Sequence, residues 1–133
     1  VITLREQNTR TVFERNNNLD FVKEDGDSIN AELSIPIIES IFSKNSPLHD
    51  GAVIIVGNVI VASRVTLPVS KSKKINKSLG LRHKAGIGIT EESDAISIVI
   101  SEETGKLSYI KSGKIISFKN NEELKSLISN DLL

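Results

Sequence analysis

Three short segments hold the residues best suited to chemistry: residues 48–52 (LHDGA), 81–86 (LRHKAG) and 101–105 (SEETG). Carboxylates suit a hard metal cation, basic side chains suit phosphates, and glycine lets a ligand approach the backbone closely. All three segments border apolar, strand-like runs. The combination predicts a site that binds a nucleoside triphosphate together with its metal ion.

The first segment places an acidic residue beside glycine, as Asp50-Gly51, between a proline-containing loop and an apolar run. Asp-Gly is a common turn dipeptide, so a turn alone would explain it in isolation. An ionised carboxylate at the start of a strand, next to His49, can also contact a cation or a substrate hydroxyl. We therefore treat Asp50 as a candidate catalytic or metal-binding residue.

The second segment is the basic triplet Arg82-His83-Lys84. It is too short for a nucleic-acid patch, has no interleaved aromatic residues, and in isolation would be explained as a solvated helix end. Glycines at 80, 86 and 88 frame the triplet at a predicted helix start, where backbone N–H groups and cations can bind phosphate. It is not a P-loop, because Gly-x-x-x-x-Gly-Lys-Ser/Thr is absent from the chain.

The third segment, Ser101-Glu102-Glu103, follows the most apolar run of the chain, residues 95–100. Polar residues that end a strand before the Thr104-Gly105 turn would account for it structurally. The functional alternative makes one glutamate a metal ligand and the Ser101 hydroxyl a donor to phosphate.

Bulk composition limits the class of protein. The 133 residues fit a single domain, spanning 1–133, and Lys plus Arg equals Asp plus Glu at 17 each, which gives no general attraction to nucleic acid. Absence of cysteine excludes disulfides, thiolate zinc sites and cysteine nucleophiles, and is compatible with the cytoplasm. No apolar run could cross a bilayer. Since the chain starts at Val1 and lacks methionine, we expect an excised domain, whose upstream part could include a membrane anchor.

The elements that must position these segments are strands mixed with helices. Gly57-Asn58 and Ser112-Gly113 predict hairpins, and helices are predicted after the N-caps Ser34 and Asn120. Further strands are expected at residues 1–4, 86–89 and 95–100, with 11–14 as an edge and 95–100 as the central strand; Tyr109 is expected to pack, half-buried, in a strand. The fold class is therefore α/β, with a mixed central β-sheet flanked by helices.

In order and spacing, the segments resemble the diadenylate cyclase domain, the bacterial catalytic domain that makes cyclic di-AMP from ATP. The family signatures Asp-Gly-Ala and Arg-His-Arg correspond to Asp50-Gly51-Ala52 and Arg82-His83-Lys84. Leu67-Pro68 and the SEETG sequence at 101–105 also match family motifs. The resemblance covers nearly the whole chain, from Val1 to the last helix.

The resemblance implies a phosphoryl-transfer reaction at a site shared by two copies. Each domain would bind one ATP with Mg²⁺ or Mn²⁺, and each 3′-hydroxyl would attack the α-phosphate of the opposite ATP, expelling pyrophosphate. The implied partners are ATP, cyclic di-AMP and a second copy of the domain. A cytoplasmic location is implied, with membrane contact only through a segment upstream of this chain.

The resemblance also implies residue roles. The implied catalytic residues are Asp50, Arg82, His83 and Lys84. The implied ATP-binding residues are Gly51 and Ala52 at the ribose, Leu67 at adenine, and Leu81, Ser101 and Glu102 at the phosphates. The implied metal ligands are Asp50, Glu103 and His49.

Two positions depart from the family pattern. Lys84 replaces an arginine, which keeps the charge but loses the bidentate fork, and Leu81 stands where the family has threonine. A catalytically weak or inactive nucleotide-binding module of the same fold is therefore an alternative to an active cyclase. A third hypothesis is an interaction domain with no nucleotide role.

Overall fold

A computed structural model describes residues 9–24, 26–42, 51–71, 81–100 and 106–132. The strands in this part of the chain are β1 (Thr9–Glu14), β2 (Asp27–Glu32), β3 (Ala52–Val56), β4 (Val59–Val65), β5 (Ile96–Ile100), β6 (Leu107–Lys111) and β7 (Lys114–Ile116). The helices are α1 (Asp20–Lys23), α2 (Ile35–Phe42), α3 (Leu81–Glu92) and α4 (Asn121–Leu132). Among these described helices, none has the length and apolar character needed to cross a membrane.

The strands form one mixed sheet in the order β2-β4-β3-β1-β5-β6-β7. β1 pairs with β3 in parallel, and the other neighbours are antiparallel. The predicted α/β class with a mixed sheet is confirmed. The predicted edge position of residues 11–14 is wrong, because β1 is the middle strand of the order. Its Val12 side chain is fully buried, as expected where both faces of a sheet are covered.

Helices cover both faces of the sheet. Leu19, Val22, Ala85 and Ile89, from the segments around α1 and α3, pack in one cluster with the β3 side chain Ile54. On the opposite face, α2 packs on β3 and β4, and α4 packs on β5 and β6. The core is therefore divided into two layers by the sheet.

The predicted caps and hairpins are present. The Ser34 hydroxyl accepts a hydrogen bond from the Ile37 N–H at 3.3 Å, and the Asn120 side chain accepts one from the Glu123 N–H at 2.9 Å. The β6–β7 turn has φ of +53° at Ser112 and +76° at Gly113. Positive φ at both central residues is what a type I′ hairpin turn requires.

The predicted strand at 86–89 is wrong, because these residues lie inside α3. A Cβ on Gly86 would lie 2.8 Å from Cγ2 of Val99, and one on Gly88 would lie 1.9 Å from the Pro68 carbonyl oxygen. The glycines thus let α3 lie directly against the sheet and the chain that follows β4. The strand predicted at 1–4 lies outside the described residues.

Candidate functional site

Strand register brings the predicted segments to one end of the sheet. Thr9, at the start of β1, pairs with Ile100, at the end of β5, and β3 runs parallel to β1. Ala52, at the start of β3, pairs with Val65, at the end of β4. We call this end, formed by the first residues of β1 and β3 and the last residues of β4 and β5, the site end.

The N-terminus of α3 lies at the same end. The Ser70 N–H, a few residues beyond β4, donates to the Lys84 carbonyl at 2.9 Å. Further along the helix, the Thr90 hydroxyl accepts from the Gly113 N–H at 2.9 Å, in the β6–β7 turn at the opposite end of the sheet. The helix therefore runs away from the site end and presents its first turn there.

Gly51 shapes the entry into β3. Its φ of +102° lies in a region that favours glycine. A Cβ at this position would also lie 2.7 Å from the carbonyl carbon of Arg64. The following residue, Ala52, is fully buried, whereas Gly51 itself is partly exposed.

Leu67 lies just beyond the end of β4. The whole residue is 3% exposed, and its side chain packs in the same cluster as Ala85 and Ile89 of α3. The contact between the Leu67 backbone and adenine that the resemblance implies stays a prediction.

The first turn of α3 has the electrostatic properties of an anion site. The first N–H groups of a helix have no acceptor within the helix, and the helix dipole favours negative charge there. Leu81 and Arg82 open the helix, the side chains of His83 and Lys84 are partly buried, and the turn contains no acidic residue. The side chains of Leu81 and Arg82 are outside the described part of the structure.

The remaining predicted residues also fall outside the described part. They are His49, Asp50, Ser101, Glu102 and Glu103. Asp50 is bonded to Gly51 and Ser101 to Ile100, and these two described residues flank β1 at the site end. Because β1 lies between β3 and β5, Gly51 and Ile100 are two strand spacings apart, about 10 Å. Carboxylates of the two segments are hard oxygen donors of the type that Mg²⁺ and Mn²⁺ prefer, so the donor set fits such an ion.

Within the described residues, no group of three or more His, Asp or Glu is placed to hold a metal ion. The predicted ligands Asp50, Glu103 and His49 are not among those residues, so the metal site stays a prediction.

Sequence reasoning missed Arg64 and its partner Asp27. Arg64 adopts φ +52° beside Gly51, and its guanidinium forms an ion pair with the Asp27 carboxylate. The hydrogen bond from Arg64 lowers the pKa of Asp27, against a smaller opposing effect of burial. The one available signal was a charged residue near the end of an otherwise uncharged strand, VIVASRV.

Comparison with known proteins identifies the family. Residues 4–115 match the family model DAC, described as the nucleotide-binding domain of the DisA bacterial checkpoint controller. The chain is 43% identical over 112 residues to the diadenylate cyclase CdaS of Bacillus thuringiensis, covering 84% of this chain and 56% of the relative. It is 42% identical over 116 residues to the cyclic di-AMP synthase CdaA of Bacillus subtilis, covering 87% and 42%. The chain thus spans about half the length of these curated relatives.

Comparison with solved structures supports the same family. A double mutant of DacA from Staphylococcus aureus superposes with a TM-score of 0.91 at 39% identity, covering 98% of this chain and 87% of that chain. A protein from Bacillus cereus, described as a hypothetical membrane spanning protein, gives a TM-score of 0.83 at 41% identity, covering 89% and 58%. On sequence and structure together, the chain belongs to the diadenylate cyclase (DAC) domain family.

Proposed function

We propose that this chain is the catalytic domain of a diadenylate cyclase, which condenses two ATP molecules into cyclic di-AMP and two pyrophosphates. The observation that carries the proposal is the meeting, at the site end, of the α3 N-terminus, the Gly51 turn and the end of β5. These are the positions to which the basic triplet and the two acidic segments are attached. Relatives named diadenylate cyclase at about 43% identity support the same activity.

The triphosphate would lie against the first turn of α3. The first N–H groups of the helix, which have no acceptor within the helix, would supply hydrogen bonds to phosphate oxygens together with Arg82, His83 and Lys84, which would add positive charge. Charge accumulates on these oxygens in the transition state of phosphoryl transfer, so cations fixed at that point lower the barrier. The ribose and adenine would contact the backbone at Gly51, Ala52 and Leu67.

The acidic segments would serve the nucleophile and the metal ion. Asp50 would accept the proton of the ATP 3′-hydroxyl or hold the metal beside it, with His49 and Glu103 as further ligands and Ser101 and Glu102 at the phosphates. A bound Mg²⁺ or Mn²⁺ would supply neutralisation of the phosphate charge.

Two copies of the domain would complete one reaction. Each 3′-oxygen forms a bond to the α-phosphorus of the other ATP, the bond from that phosphorus to the β-phosphate oxygen breaks, and pyrophosphate leaves. One domain binds one ATP, so both linkages form only when two sites face each other. The holding of both reactants in one geometry is the main catalytic contribution available without a covalent intermediate.

A cytoplasmic location follows for an enzyme that consumes ATP. Attachment to a membrane would be made by segments outside this chain. The Bacillus cereus neighbour, whose description is of a membrane spanning protein, is consistent with such an arrangement.

A nucleotide-binding module with little or no turnover is the second candidate. It is favoured by two residues at the start of α3, Leu81 in place of threonine and Lys84 in place of arginine. Loss of one hydrogen bond to a charged group costs about 1.5–3 kcal/mol, which would weaken but not abolish phosphate contacts.

The deciding experiment incubates the chain with ATP and either Mg²⁺ or Mn²⁺ and measures cyclic di-AMP by chromatography. Product is expected, with a rate that rises faster than linearly with protein concentration if isolated chains are monomers. Asp50→Asn should abolish product. Asp20→Asn is the matched control, because Asp20 makes an exposed ion pair with Lys23 on α1 and is assigned no role at the nucleotide.

Binding measurements separate the remaining outcomes. An ATP analogue that raises the melting temperature without any product would favour the binding module, and Leu81→Thr should then increase turnover. Failure of ATP, its analogues and cyclic di-AMP to stabilise the fold would contradict both nucleotide hypotheses and favour the interaction domain.

A further inference from the structure

The last residues of β4 form a bulge that is enclosed by glycines on both sides. Between paired positions, β3 advances from Ala52 to Ile54 while β4 advances from Ala62 to Val65, so β4 contains one extra residue. Such a bulge bends its strand and re-aims nearby groups. We call residues 63–65 the β4 bulge.

Both neighbouring segments approach the bulge too closely for a side chain. A Cβ on Gly26, just before β2, would lie 2.5 Å from the Ser63 carbonyl oxygen. A Cβ on Gly51, just before β3, would lie 2.7 Å from the carbonyl carbon of Arg64 and 2.8 Å from its Cα. The backbone of the bulge therefore forms the surface against which the Gly51 turn rests.

Arg64, in the bulge, has an unfavourable backbone conformation. Its φ of +52° is uncommon for a residue with a Cβ, so the surrounding contacts must maintain it. The Asp27 carboxylate supplies one such contact through both of its oxygens. Arg64 Nε donates to Oδ2 at 2.5 Å, and Nη2 donates to Oδ1 at 3.1 Å. A bidentate pair fixes the orientation of the guanidinium as well as its distance.

We infer that Asp27 and Arg64 are positioning residues for the cyclase reaction: their ion pair maintains the β4 bulge, and the bulge sets the Gly51 turn to which Asp50 is bonded. The inference rests on the proposed function, in which Asp50 acts at the 3′-hydroxyl. Neither residue belongs to the motifs on which the family resemblance stands. The backbone of Arg64 lies against Gly51, and the guanidinium of Arg64 forms a bidentate ion pair with Asp27.

If the ion pair had only a structural role, its removal would have a different effect on kcat and KM. The Arg64 and Asp27 side chains are 49% and 39% exposed, and pairs of this exposure contribute little to global stability. Removal of such a pair would leave kcat and KM unchanged for the folded protein. Removal of a positioning pair would lower kcat and leave the KM for ATP unchanged, because binding groups remain while the nucleophile's alignment is lost.

The test is a double-mutant cycle of Asp27→Asn, Arg64→Gln and the combined variant. Each single change should lower kcat by about two- to fivefold, the range that a half-exposed ion pair can bias a conformation. The combined variant should lose no more than the worse single variant, because the residues act as one unit. Asp131→Asn is the control: it removes an ion pair of α4 that lies away from the site end, and kcat should not change.

Three results would overturn the inference. Unchanged kcat in all three variants would make the pair structural only. An increase in KM for Arg64→Gln without any effect of Asp27→Asn would mean that Arg64 contacts the nucleotide itself. Additive losses in the combined variant would mean that the two residues do not act through each other.

Failure of the proposed function can be distinguished from failure of this inference. If the unmodified chain makes no product, the cyclase proposal fails, and the positional part is tested by hydrogen exchange of the amides of residues 51 and 52. Faster exchange in Asp27→Asn, at unchanged global stability, would support control of the turn by the ion pair. Unchanged exchange would overturn it.

Discussion

The site end and the contact between α4 and β6 are packed by different kinds of groups. At the site end, Gly51 lies against the backbone of Arg64, which adopts a positive φ. Gly88, further along α3, lies against the backbone of Pro68 in the same way. In the contact between α4 and β6, the interactions are made by side chains. Tyr109 is fully buried, its hydroxyl donates to Asp131 Oδ2 at 2.5 Å, and Lys111 Nζ donates to Asp131 Oδ1 at 2.6 Å.

The difference separates stability from function within one small sheet. Backbone packing at the site end brings the Gly51 turn and the first turn of α3 to one end of the sheet, and a helix N-terminus favours an anionic ligand. In the polar cluster at α4, the Tyr109 hydroxyl and Lys111 both donate to the Asp131 carboxylate, so these groups are satisfied within the fold. Changes at the site end should therefore alter activity, whereas changes at the α4 contact should alter stability alone.

Gly88→Ala should have the largest effect on stability. Alanine normally stabilises a helix relative to glycine by about 1 kcal/mol. Here the new Cβ would lie 1.9 Å from the Pro68 carbonyl oxygen and 2.9 Å from the Ser70 nitrogen, both backbone atoms. We expect a net loss of about 3 kcal/mol in urea unfolding, at the upper end of the cost of overpacking.

Gly86→Ala is the matched control in the same helix. Its Cβ would meet only side-chain atoms, of Val99, Ser97 and Ile110, at 2.8–3.1 Å. Side chains can shift more cheaply than backbone, so the loss should be clearly smaller. Equal losses for the two variants would show that the chain after β4 is not fixed against α3.

Gly51→Ala should reduce both stability and activity. The φ of +102° and the contact with the Arg64 backbone make a Cβ unfavourable, and we expect a loss of about 2 kcal/mol. At a protein concentration and temperature where the variant stays folded, cyclic di-AMP production should still fall strongly. Full activity in the folded variant would contradict the assignment of this turn to the nucleotide site.

Tyr109→Phe should reduce stability and leave kcat unchanged. The substitution removes a hydrogen bond to a charged carboxylate, which is worth about 1.5 kcal/mol, at the lower end of the usual range because Lys111 remains paired with Asp131. Unfolding by urea measures the loss, and the product assay on the folded variant provides the comparison. A lower kcat would show that the two regions are coupled.

Local signals predicted those elements that local interactions determine. Ser34 and Asn120 cap their helices through hydrogen bonds three residues away, so the sequence pattern was sufficient. The strand β2, with sequence DSINAE, was not predicted, because its place depends on pairing with β4 and only alternate residues are partly buried. Similarly, Gly86 and Gly88 predicted a strand, whereas both lie in α3. Glycine is needed there because the helix packs closely against Val99 and Pro68, which are distant in the sequence.

The candidate functional site was likewise predicted only where local sequence signals determine it. The motifs identified which segments to consider, since residue types and order are visible in the sequence. Their meeting at one end of the sheet depends on register, as in the pairing of Thr9 with Ile100, which no local pattern contains. The ion pair between Asp27 and Arg64 joins residues 37 positions apart, so it could be found only in the folded structure. The full burial of Tyr109, predicted to be half-buried, follows from α4 covering it.

Acid should weaken the α4 contact, because Asp131 accepts hydrogen bonds from Tyr109 and Lys111 as an ionised carboxylate. Burial alone would raise the pKa of Asp131, but hydrogen bonds from Lys111 and Tyr109 outweigh it and hold the pKa below the ordinary value of 3.8. A carboxylate whose pKa is depressed on folding contributes stability above its unfolded pKa, and that contribution is lost as the pH falls through the folded pKa.

We therefore expect the free energy of unfolding to be flat, as far as Asp131 is concerned, from neutral pH down to about pH 4, and to fall below that. Asp131→Asn should be less stable at neutral pH and should show a shallower acid slope. Some slope will remain, because the pKa of Asp27 is also lowered, by its hydrogen bond with Arg64. Urea midpoints measured between neutral pH and pH 3 for both proteins test this, and identical acid slopes would show that Asp131 does not hold α4 through its charge.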